Sequence, residues 1–364
     1  MKRNVRALSQ LGANVTATDG QSRFRGATLD EVARVAGVSR ATVSRVVNGS
    51  PRVSGTVRSS VEAAVERLGY VPNRAARSLV TRRSDSIAVV ITEPAGRLFT
   101  DPFFPRLLRG VSAALSAKDF QLVLLMPESP ADEPRTVRYL TTGHVDGVLL
   151  GSLHGEDPLP RELTASGVPV VLVGRPPRDV DVSYVDVDNE QGARRATRHL
   201  IGLGRRHVAT IAGPAEMVAG HDRLAGYRGA LADAGVAPDS SLIVTSDFSH
   251  EAGAGAMERL LGTRPDVDAV FCASDTIAAG ALATLLSAGR RVPEDVAVVG
   301  FDDSPIAVIS RPPLSSVRQP IEEMGREMVR LLLDLIATND RVARRVVLAT
   351  ELVLRDSSIG RSMP

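Results

Sequence analysis

One short stretch of the chain presents side chains that suit contact with nucleic acid. Between residues 28 and 48, the outer face of a predicted helix carries Arg40, Ala41, Thr42, Ser44, Arg45 and Asn48. Arginine, hydroxyl and amide groups can donate hydrogen bonds to base edges and phosphate oxygens, and this face contains no acid. An ordinary helical hairpin would explain the small residues of the segment, but not the lack of acids. The pattern therefore favours DNA reading.

Two helices must position this face. Thr28 followed by Glu31 is a capping box, so the first helix should begin at Leu29. Gly37 should end that helix because glycine adopts a positive φ at little cost. Ser39 can cap the second helix. Two short helices joined by a Gly-Val-Ser turn predict a helix-turn-helix.

A third helix is expected to complete a small core in this head. Ser54 can cap it, Gly69 can end it, and apolar residues recur at helical spacing between the two. A head of this size would be marginally stable by itself.

The charge of the chain is unevenly distributed. Residues 1–83 contain fifteen Lys and Arg against five Asp and Glu, whereas all 364 residues together have a net charge of +2. A basic head on an acidic body indicates a polyanionic partner at one end only. Because only two of the 44 basic residues are Lys, the choice of Arg by itself adds little to this argument.

Downstream of the head, apolar runs alternate with helical patterns. The runs lie at 86–92, 121–126, 146–150, 168–173, 208–212, 242–245, 269–272 and 295–299, and the helical stretches at 105–117, 191–202, 223–234, 252–261, 276–288 and 321–336. Continuous apolar runs are typical of buried parallel strands, and their alternation with helices predicts an α/β fold. The loop at 174–183 breaks the rhythm and favours two lobes over one large sheet.

From Thr28 to about Arg355 the sequence resembles the LacI-type family of bacterial transcription regulators. The most specific strings are Val38-Ser-Arg-Ala-Thr-Val-Ser-Arg-Val-Val-Asn48 and Gly69-Tyr-Val-Pro-Asn-Arg-Ala-Ala-Arg-Ser-Leu79. The resemblance implies an α/β two-lobed periplasmic-binding-protein-like effector domain with an N-terminal all-α helix-turn-helix DNA-binding domain.

The expected domain layout follows from the patterns and the resemblance together. A disordered extension covers 1–27, the DNA-binding domain 28–72, a hinge helix and linker 73–84, and the effector-binding and dimerisation domain 85–364. Lobe 1 should comprise about 85–186 and 319–345, and lobe 2 about 187–318 and 346–356. The chain is expected to cross between the lobes near Asp186, Gln319 and Val346.

Double-stranded operator DNA is the expected partner of the head. Arg40, Ala41 and Arg45 should face base edges in the major groove, while Ser39, Thr42 and Asn48 contact phosphates. Thr28, Ser44 and, in the hinge, Asn73, Ala76 and Leu79 complete the predicted set. The resemblance implies that two hinge copies pack in the minor groove, where Leu79 opens a base step. A homodimer would then read a palindromic operator.

Candidates for a small-molecule site follow the predicted strands, because in open parallel sheets ligands bind outside the carboxyl ends. They are Phe103, Phe104, Arg223, Phe248, Ser274, Asp275 and Asp302. Such side chains suit a small polar ligand, although Asp275 could merely cap a helix and the two adjacent phenylalanines could be core residues. The resemblance assigns effector contacts to Arg223, Phe248 and Asp302.

Three classes of function make different demands on the sequence. A solute-binding protein of a transporter would need a signal peptide and no helix-turn-helix. An α/β enzyme would need a reactive constellation, but six scattered His, no nucleophile elbow and no metal-ligand spacing offer none. A ligand-responsive DNA-binding regulator, and not an enzyme, fits best. The family implies a repressor whose effector is a carbohydrate, either a sugar or a sugar phosphate, with a purine-like ligand as the alternative.

Composition adds several expected absences. Cys272 is the single cysteine, which excludes an internal disulfide and a cysteine-based metal site. No apolar run reaches about 18 residues, and the N-terminus has no apolar signal region. We therefore expect a cytoplasmic protein with no membrane contact, no cofactor and no bound metal.

Overall fold

The computed structural model describes residues 27–47, 49–71, 83–152, 154–155, 157–176, 180–338 and 342–359. The chain divides into two compact units, residues 1–80 and 81–364. The predicted extension at 1–27 and the hinge segment at 73–84 lie almost entirely outside the described residues. We call the described parts of the two units the head and the body.

The head contains three helices around one small core. They are α1 (Leu29–Ala36), α2 (Arg40–Val47) and α3 (Gly55–Leu68). The core consists of Val32, Ala33, Val43, Val46, Val61, Ala64 and Tyr70. The first two helices meet through small and β-branched side chains, which permits a close crossing. The predicted helix-turn-helix is confirmed.

The ends of the head helices follow from local chemistry. The Thr28 backbone N–H donates to Glu31 Oε2 over 2.7 Å, and the Glu31 N–H donates to Thr28 Oγ1 over 3.3 Å, so the capping box is present. Gly37 takes φ 66° after α1, as predicted. Ser39 Oγ accepts from the Thr42 N–H over 3.2 Å. The prediction for Ser54 was wrong in one respect: its side chain makes no capping hydrogen bond.

The body is built on two six-stranded sheets. The first contains β1 (Ser86–Ile91), β2 (Gln121–Leu125), β3 (Gly147–Gly151), β4 (Val170–Val173), β5 (Ser183–Val187) and β11 (Arg345–Leu348), in the order β11-β5-β4-β3-β1-β2. The second contains β6 (Val208–Ala212), β7 (Ile243–Thr245), β8 (Ala269–Cys272), β9 (Ala297–Asp302), β10 (Ser315–Arg318) and β12 (Glu351–Val353), in the order β12-β10-β9-β8-β6-β7. All pairings are parallel except β10 with β12.

Helices cover both sheets. Around the first sheet lie α4 (Ala95–Thr100), α5 (Phe103–Ser116), α6 (Glu133–Thr141), α7 (Leu159–Ala165) and α13 (Ile321–Thr338). Around the second lie α8 (Asn189–Gly202), α9 (Val218–Asp233), α10 (His250–Thr263), α11 (Asp275–Ser287), α12 (Pro305–Ile309) and α14 (Asp356–Ile359). At the crossing of α5 with α13, a Cβ on Gly110 would collide with the Glu322 backbone. None of the described helices is long and apolar enough to cross a membrane.

The two-lobed α/β prediction is confirmed, with corrections to its details. Strands β5, β10 and β11 were missed, and only the first residue of β5, Ser183, falls in the expected loop. The chain leaves the first sheet after Val187 and the second after Arg318, close to the crossings expected near Asp186 and Gln319. The third crossing was placed too early. Val346 lies within β11, which pairs with β5 of the first sheet, so the chain crosses only after Leu348.

Candidate effector cleft and DNA-reading helix

A cavity lies between the two sheets of the body, at the carboxyl ends of their strands. Its space is about 910 Å³ when the open mouth is included, which lies within the range of about 300–1,000 Å³ typical of ligand pockets. Six of the seven predicted effector residues line it: Phe103, Phe104, Arg223, Phe248, Ser274 and Asp302. The seventh, Asp275, is not among the lining residues. Their assignment to effector binding stays a prediction.

Arg223 is held rigidly in the wall of the cavity. It lies on α9 and is only 6% exposed. Its Nε donates to Asn189 Oδ1 over 2.9 Å, and its Nη1 donates to the Ala273 carbonyl oxygen over 2.6 Å. The guanidinium carbon lies 3.7 Å from the centre of the Phe301 ring. Burial lowers the pKa of Arg223, but a guanidinium stays protonated in proteins.

Asp302 provides a carboxylate beside this guanidinium. It ends β9 with φ 107° and accepts a hydrogen bond from Gln319 Nε2. Its Oδ1 lies 3.7 Å from Arg223 Nη1, which is too long for a hydrogen bond. Burial raises the pKa of Asp302, and the charge of Arg223 opposes that rise. The two groups form a loose ion pair that faces the cavity.

Asp275 supports the site from behind. Its carboxylate is fully buried and accepts from the Ser304 N–H and from Ser316 Oγ, each over 2.6 Å. These contacts tie the turn after β9 to β10, and so support the segment that carries Asp302. Burial raises the pKa of Asp275, and the charge of Asp302 acts in the same direction. Helix α11 is capped by Ser274, whose Oγ accepts from the Ile277 N–H over 3.2 Å, so the capping role considered for Asp275 falls to its neighbour.

Three phenylalanine rings supply apolar walls. Phe248 adopts φ 70°, and its ring packs so closely on Gly213 that a Cβ at that glycine would collide with it. Phe103 and Phe104 meet edge to face, with ring centres 5.4 Å apart. Phe104 is 2% exposed and belongs to the apolar core, and it also lines the cavity, so its contact with an effector stays a prediction.

Sequence reasoning missed several polar residues of the cavity: Arg97, Asp101, Arg175, Asp186, Asn189, Glu216 and Gln319. Arg175 Nη2 lies 2.7 Å from both carboxylate oxygens of Asp222, which joins the two lobes. Arg106 Nη1 also reaches across, to the Asp302 carbonyl oxygen over 3.1 Å. Asp186 lies near the carboxyl end of the missed strand β5 and Asn189 comes just after it, so the rule of strand ends could have found them had the strand been recognised. The other residues depend on loop conformation.

A buried carboxylate anchors the loop that follows β1. Glu93 is 3% exposed and accepts from Ser152 Oγ and from Arg97 Nη1, the latter over 2.9 Å. His154 Nε2 lies 2.7 Å from the same Glu93 oxygen. The hydrogen bond with Glu93 raises the pKa of His154. Burial of Glu93 favours its neutral form, but these partners outweigh burial and lower the pKa of Glu93.

Helix α2 of the head presents the predicted DNA-reading face to solvent. Val43 and Val46 are buried, whereas Ser39, Arg40, Ala41 and Arg45 are exposed and Thr42 and Ser44 are half-buried. Arg40 Nε lies 3.8 Å from Asp30 Oδ1, which is a weak and exposed contact. Thr28 is exposed and occupied in the capping box. The remaining predicted contacts, Asn48, Asn73, Ala76 and Leu79, lie outside the described residues.

These features define a class of protein in which a helix-turn-helix is joined to a two-lobed ligand-binding body. Residues 28–73 match the family model "Bacterial regulatory proteins, lacI family", and residues 197–358 match "Periplasmic binding protein-like domain". Among the described residues, no three His, Cys, Asp or Glu side chains could together hold a metal ion.

Relatives of known name cover nearly the whole chain. The HTH-type transcriptional regulator CelR of Thermobifida fusca is 53% identical over 338 residues, which is 92% of this chain and 99% of that protein. The ribose operon repressor of Escherichia coli strain K12 is 35% identical over 337 residues, covering 91% of this chain and 100% of that protein. The chain therefore belongs to the LacI family of bacterial transcription regulators.

Two solved structures are similar over the same span. A complex of the transcriptional regulator CelR with cellobiose is 50% identical, has a TM-score of 0.74 and covers 91% of this chain and 100% of that one. The lac repressor dimer bound to operator and the anti-inducer ONPF is 28% identical, has a TM-score of 0.82 and covers 92% of this chain and 99% of that one.

Proposed function

We propose that the chain represses transcription as a homodimer and that an uncharged saccharide, bound in the cleft of the body, controls its affinity for operator DNA. Cellobiose is the first candidate, because the regulator CelR, which is 50% identical to this chain, has been solved in complex with that disaccharide. The relatives are regulators, so we propose that the ligand is bound and released unchanged. A protein that acts on the bacterial chromosome works in the cytoplasm.

The pairing of charges in the cavity carries the proposal of an uncharged ligand. The three arginines that line it are already engaged: Arg223 beside Asp302, Arg175 with Asp222, and Arg97 with Glu93. The lining also includes four acids, Asp101, Asp186, Glu216 and Asp302. A phosphate would face these acids, and the positive charges of the arginines are already balanced by neighbouring carboxylates. Sugar hydroxyls can instead donate to carboxylates and accept from arginines at the same time.

A purine-like ligand is the second candidate. Phe103, Phe104 and Phe248 offer ring faces and edges on which a base could stack. The same rings also suit the apolar face of a pyranose. We favour the sugar because the carboxylates of the lining can accept hydrogen bonds from several hydroxyls, and a nucleobase carries few such donors.

On the DNA side, we propose that α2 enters the major groove. Arg40, Ala41 and Arg45 would then read bases, while Ser39, Thr42 and Asn48 contact phosphates. The segment containing Asn73, Ala76 and Leu79 would enter the minor groove. A related repressor is a dimer on its operator. Because a two-fold dimer presents the same surface twice, the preferred site should be a near-palindrome.

Calorimetry on the full chain tests the ligand proposal. Cellobiose, a phosphorylated cellobiose and the nucleoside inosine would be titrated in turn under the same buffer conditions. We expect binding of cellobiose, and much weaker binding or none for the phosphorylated sugar. Stronger binding of the phosphorylated sugar would overturn the charge argument. Binding of inosine alone would favour the second candidate.

A further inference from the structure

We propose that Arg97 and Asp101 form a hydroxyl-binding pair on the first lobe, which acts together with Arg223 and Asp302 on the second lobe. This inference rests on the proposed saccharide function, and it identifies a specificity-determining part of the same cleft. The pair lies in the loop between β1 and α5, where helix α4 is inserted. Arg97 and Asp101 are four residues apart, and both line the cavity.

The two pairs have the same kind of geometry. Arg97 Nε lies 3.9 Å from Asp101 Oδ2, and Arg223 Nη1 lies 3.7 Å from Asp302 Oδ1. Both separations exceed the range of about 2.7–3.2 Å for an N–H···O hydrogen bond. Each pair therefore retains its electrostatic attraction but leaves hydrogen-bonding capacity unused. A hydroxyl can accept from the guanidinium and donate to the carboxylate of one pair.

Arg97 has donors to spare. A guanidinium has five N–H donors, and within the described residues only one donated bond from Arg97 is found, from Nη1 to Glu93 over 2.9 Å. Its Nε is shielded from solvent and has no hydrogen-bond acceptor among the described residues. Leaving a buried donor unpaired costs free energy, so a small shift of Arg97 toward Asp101 or toward a ligand oxygen is favourable.

The carboxylate of Asp101 can also accept further hydrogen bonds. It accepts a hydrogen bond from the Phe103 N–H over 3.0 Å. Burial raises the pKa of Asp101, and the charges of nearby arginines act in the opposite direction. A hydroxyl donor from a saccharide would stabilise the charged carboxylate. This requirement suits a neutral polyol and disfavours an anion.

The position of Arg97 makes this pair sensitive to the distance between the two lobes. Glu93, which is itself held by Ser152 and His154, binds its guanidinium on the first lobe. Its guanidinium carbon lies 5.1 Å from the ring centre of Phe248, which belongs to the second lobe. That contact is looser than the 3.7 Å stack of Arg223 on Phe301. A sugar that contacts both Arg–Asp pairs therefore gains its full binding free energy only at one degree of lobe closure.

Substitution of Arg97 by methionine removes the donors and keeps the length of the side chain. Arg97→Met in the full chain should weaken cellobiose binding by about tenfold or more, since a hydrogen bond to a charged group is worth about 1.5–3 kcal/mol. Asp101→Asn should also weaken binding, with its shape retained. Arg109→Met is the matched control, because Arg109 lies on the same lobe in an exposed ion pair with Glu322, away from the cavity.

Monodeoxy cellobioses separate direct contact from a structural effect. If Arg97 binds a hydroxyl, the loss caused by Arg97→Met should disappear for the one analogue that lacks this hydroxyl and persist for the others. An equal loss of affinity for every analogue would overturn the assignment of Arg97 and Asp101 to hydroxyl binding. Unchanged cellobiose binding by both variants would overturn it too. Either result would leave the proposed saccharide function intact. Failure of the unaltered chain to bind any of the sugars would overturn the proposed function and this inference together.

Discussion

Removal of the Arg223 guanidinium should destabilise the body and should do so in a pH-dependent way. The change Arg223→Met deletes two hydrogen bonds, to Asn189 and to the Ala273 carbonyl, and the charge beside Asp302. Breaking a buried charge pair by removing one partner typically costs about 3–5 kcal/mol, because the remaining charge is uncompensated. We expect the free energy of unfolding to fall by about 3–5 kcal/mol near pH 8. The protein should still be folded in the absence of denaturant.

The pH dependence identifies Asp302 as the cause. Burial raises the pKa of this carboxyl above its usual value of about 3.9, and loss of Arg223 raises the pKa further. A carboxyl whose pKa is higher in the folded state binds more protons when folded, so stability falls as pH rises through the window between the two pKa values. The loss in free energy of unfolding caused by Arg223→Met, relative to the unaltered chain, should therefore be smaller at pH 5 than at pH 8.

Urea unfolding followed by far-ultraviolet circular dichroism measures both quantities on the full chain. Arg194→Met is the control, because Arg194 lies on the same lobe in an exposed pair with Asp233 and should matter much less. The double variant Arg223→Met with Asp302→Asn should be less destabilised at pH 8 than the single Arg223 variant. An equal loss in free energy of unfolding at pH 5 and pH 8 would contradict the role of Asp302. A double variant less stable than the single variant would contradict it too.

Three further predictions concern other parts of the chain. Thr28→Ala removes the cap of α1, which typically costs about 1 kcal/mol; amide-exchange protection in α1 of the full chain should fall about fivefold, and unchanged protection would exclude the cap as a contributor. Arg45→Ala should cost about 1–3 kcal/mol at one operator position; an equal loss on every DNA sequence would assign Arg45 to phosphate instead. His154→Gln removes a group whose pKa the hydrogen bond with Glu93 raises, so its stabilising effect is full at low pH and is lost as pH rises through that raised pKa. The difference in melting temperature between the unaltered chain and His154→Gln should be larger at pH 6 than at pH 9, and an equal difference would contradict the pairing.

Features that depend on neighbouring residues in the chain could be predicted from the sequence. The capping box of Thr28 and Glu31 and the positive φ of Gly37 are local, and both were found where expected. The buried strands with continuous apolar runs were also found, with ends shifted by a few residues. These predictions succeeded because their causes lie within one turn or one strand.

Features that depend on distant partners could not be predicted in this way. Strand β5, Ser183–Val187, contains buried polar residues and so gave no apolar run. Its Asp186 accepts a hydrogen bond from the Arg175 N–H over 3.2 Å, a donor eleven residues earlier that the sequence pattern does not place beside it. The places of Arg97 and Asp101 in the cavity could not be predicted either, because they depend on the conformation of the loop after β1 and on contacts such as that between Arg97 and the distant Phe248.

We propose that a ligand in the cleft of the body controls DNA binding by the head, and one titration tests this coupling. A DNA site selected from a random pool would be labelled, and its affinity for the full chain measured at one fixed salt concentration with and without saturating cellobiose. Coupling between two sites is typically about 1–3 kcal/mol, which corresponds to about 5–150-fold. We predict a change in DNA affinity within this range, and an equal factor in cellobiose affinity when DNA is present. Cellobiose that binds the protein but leaves DNA affinity unchanged would contradict the account.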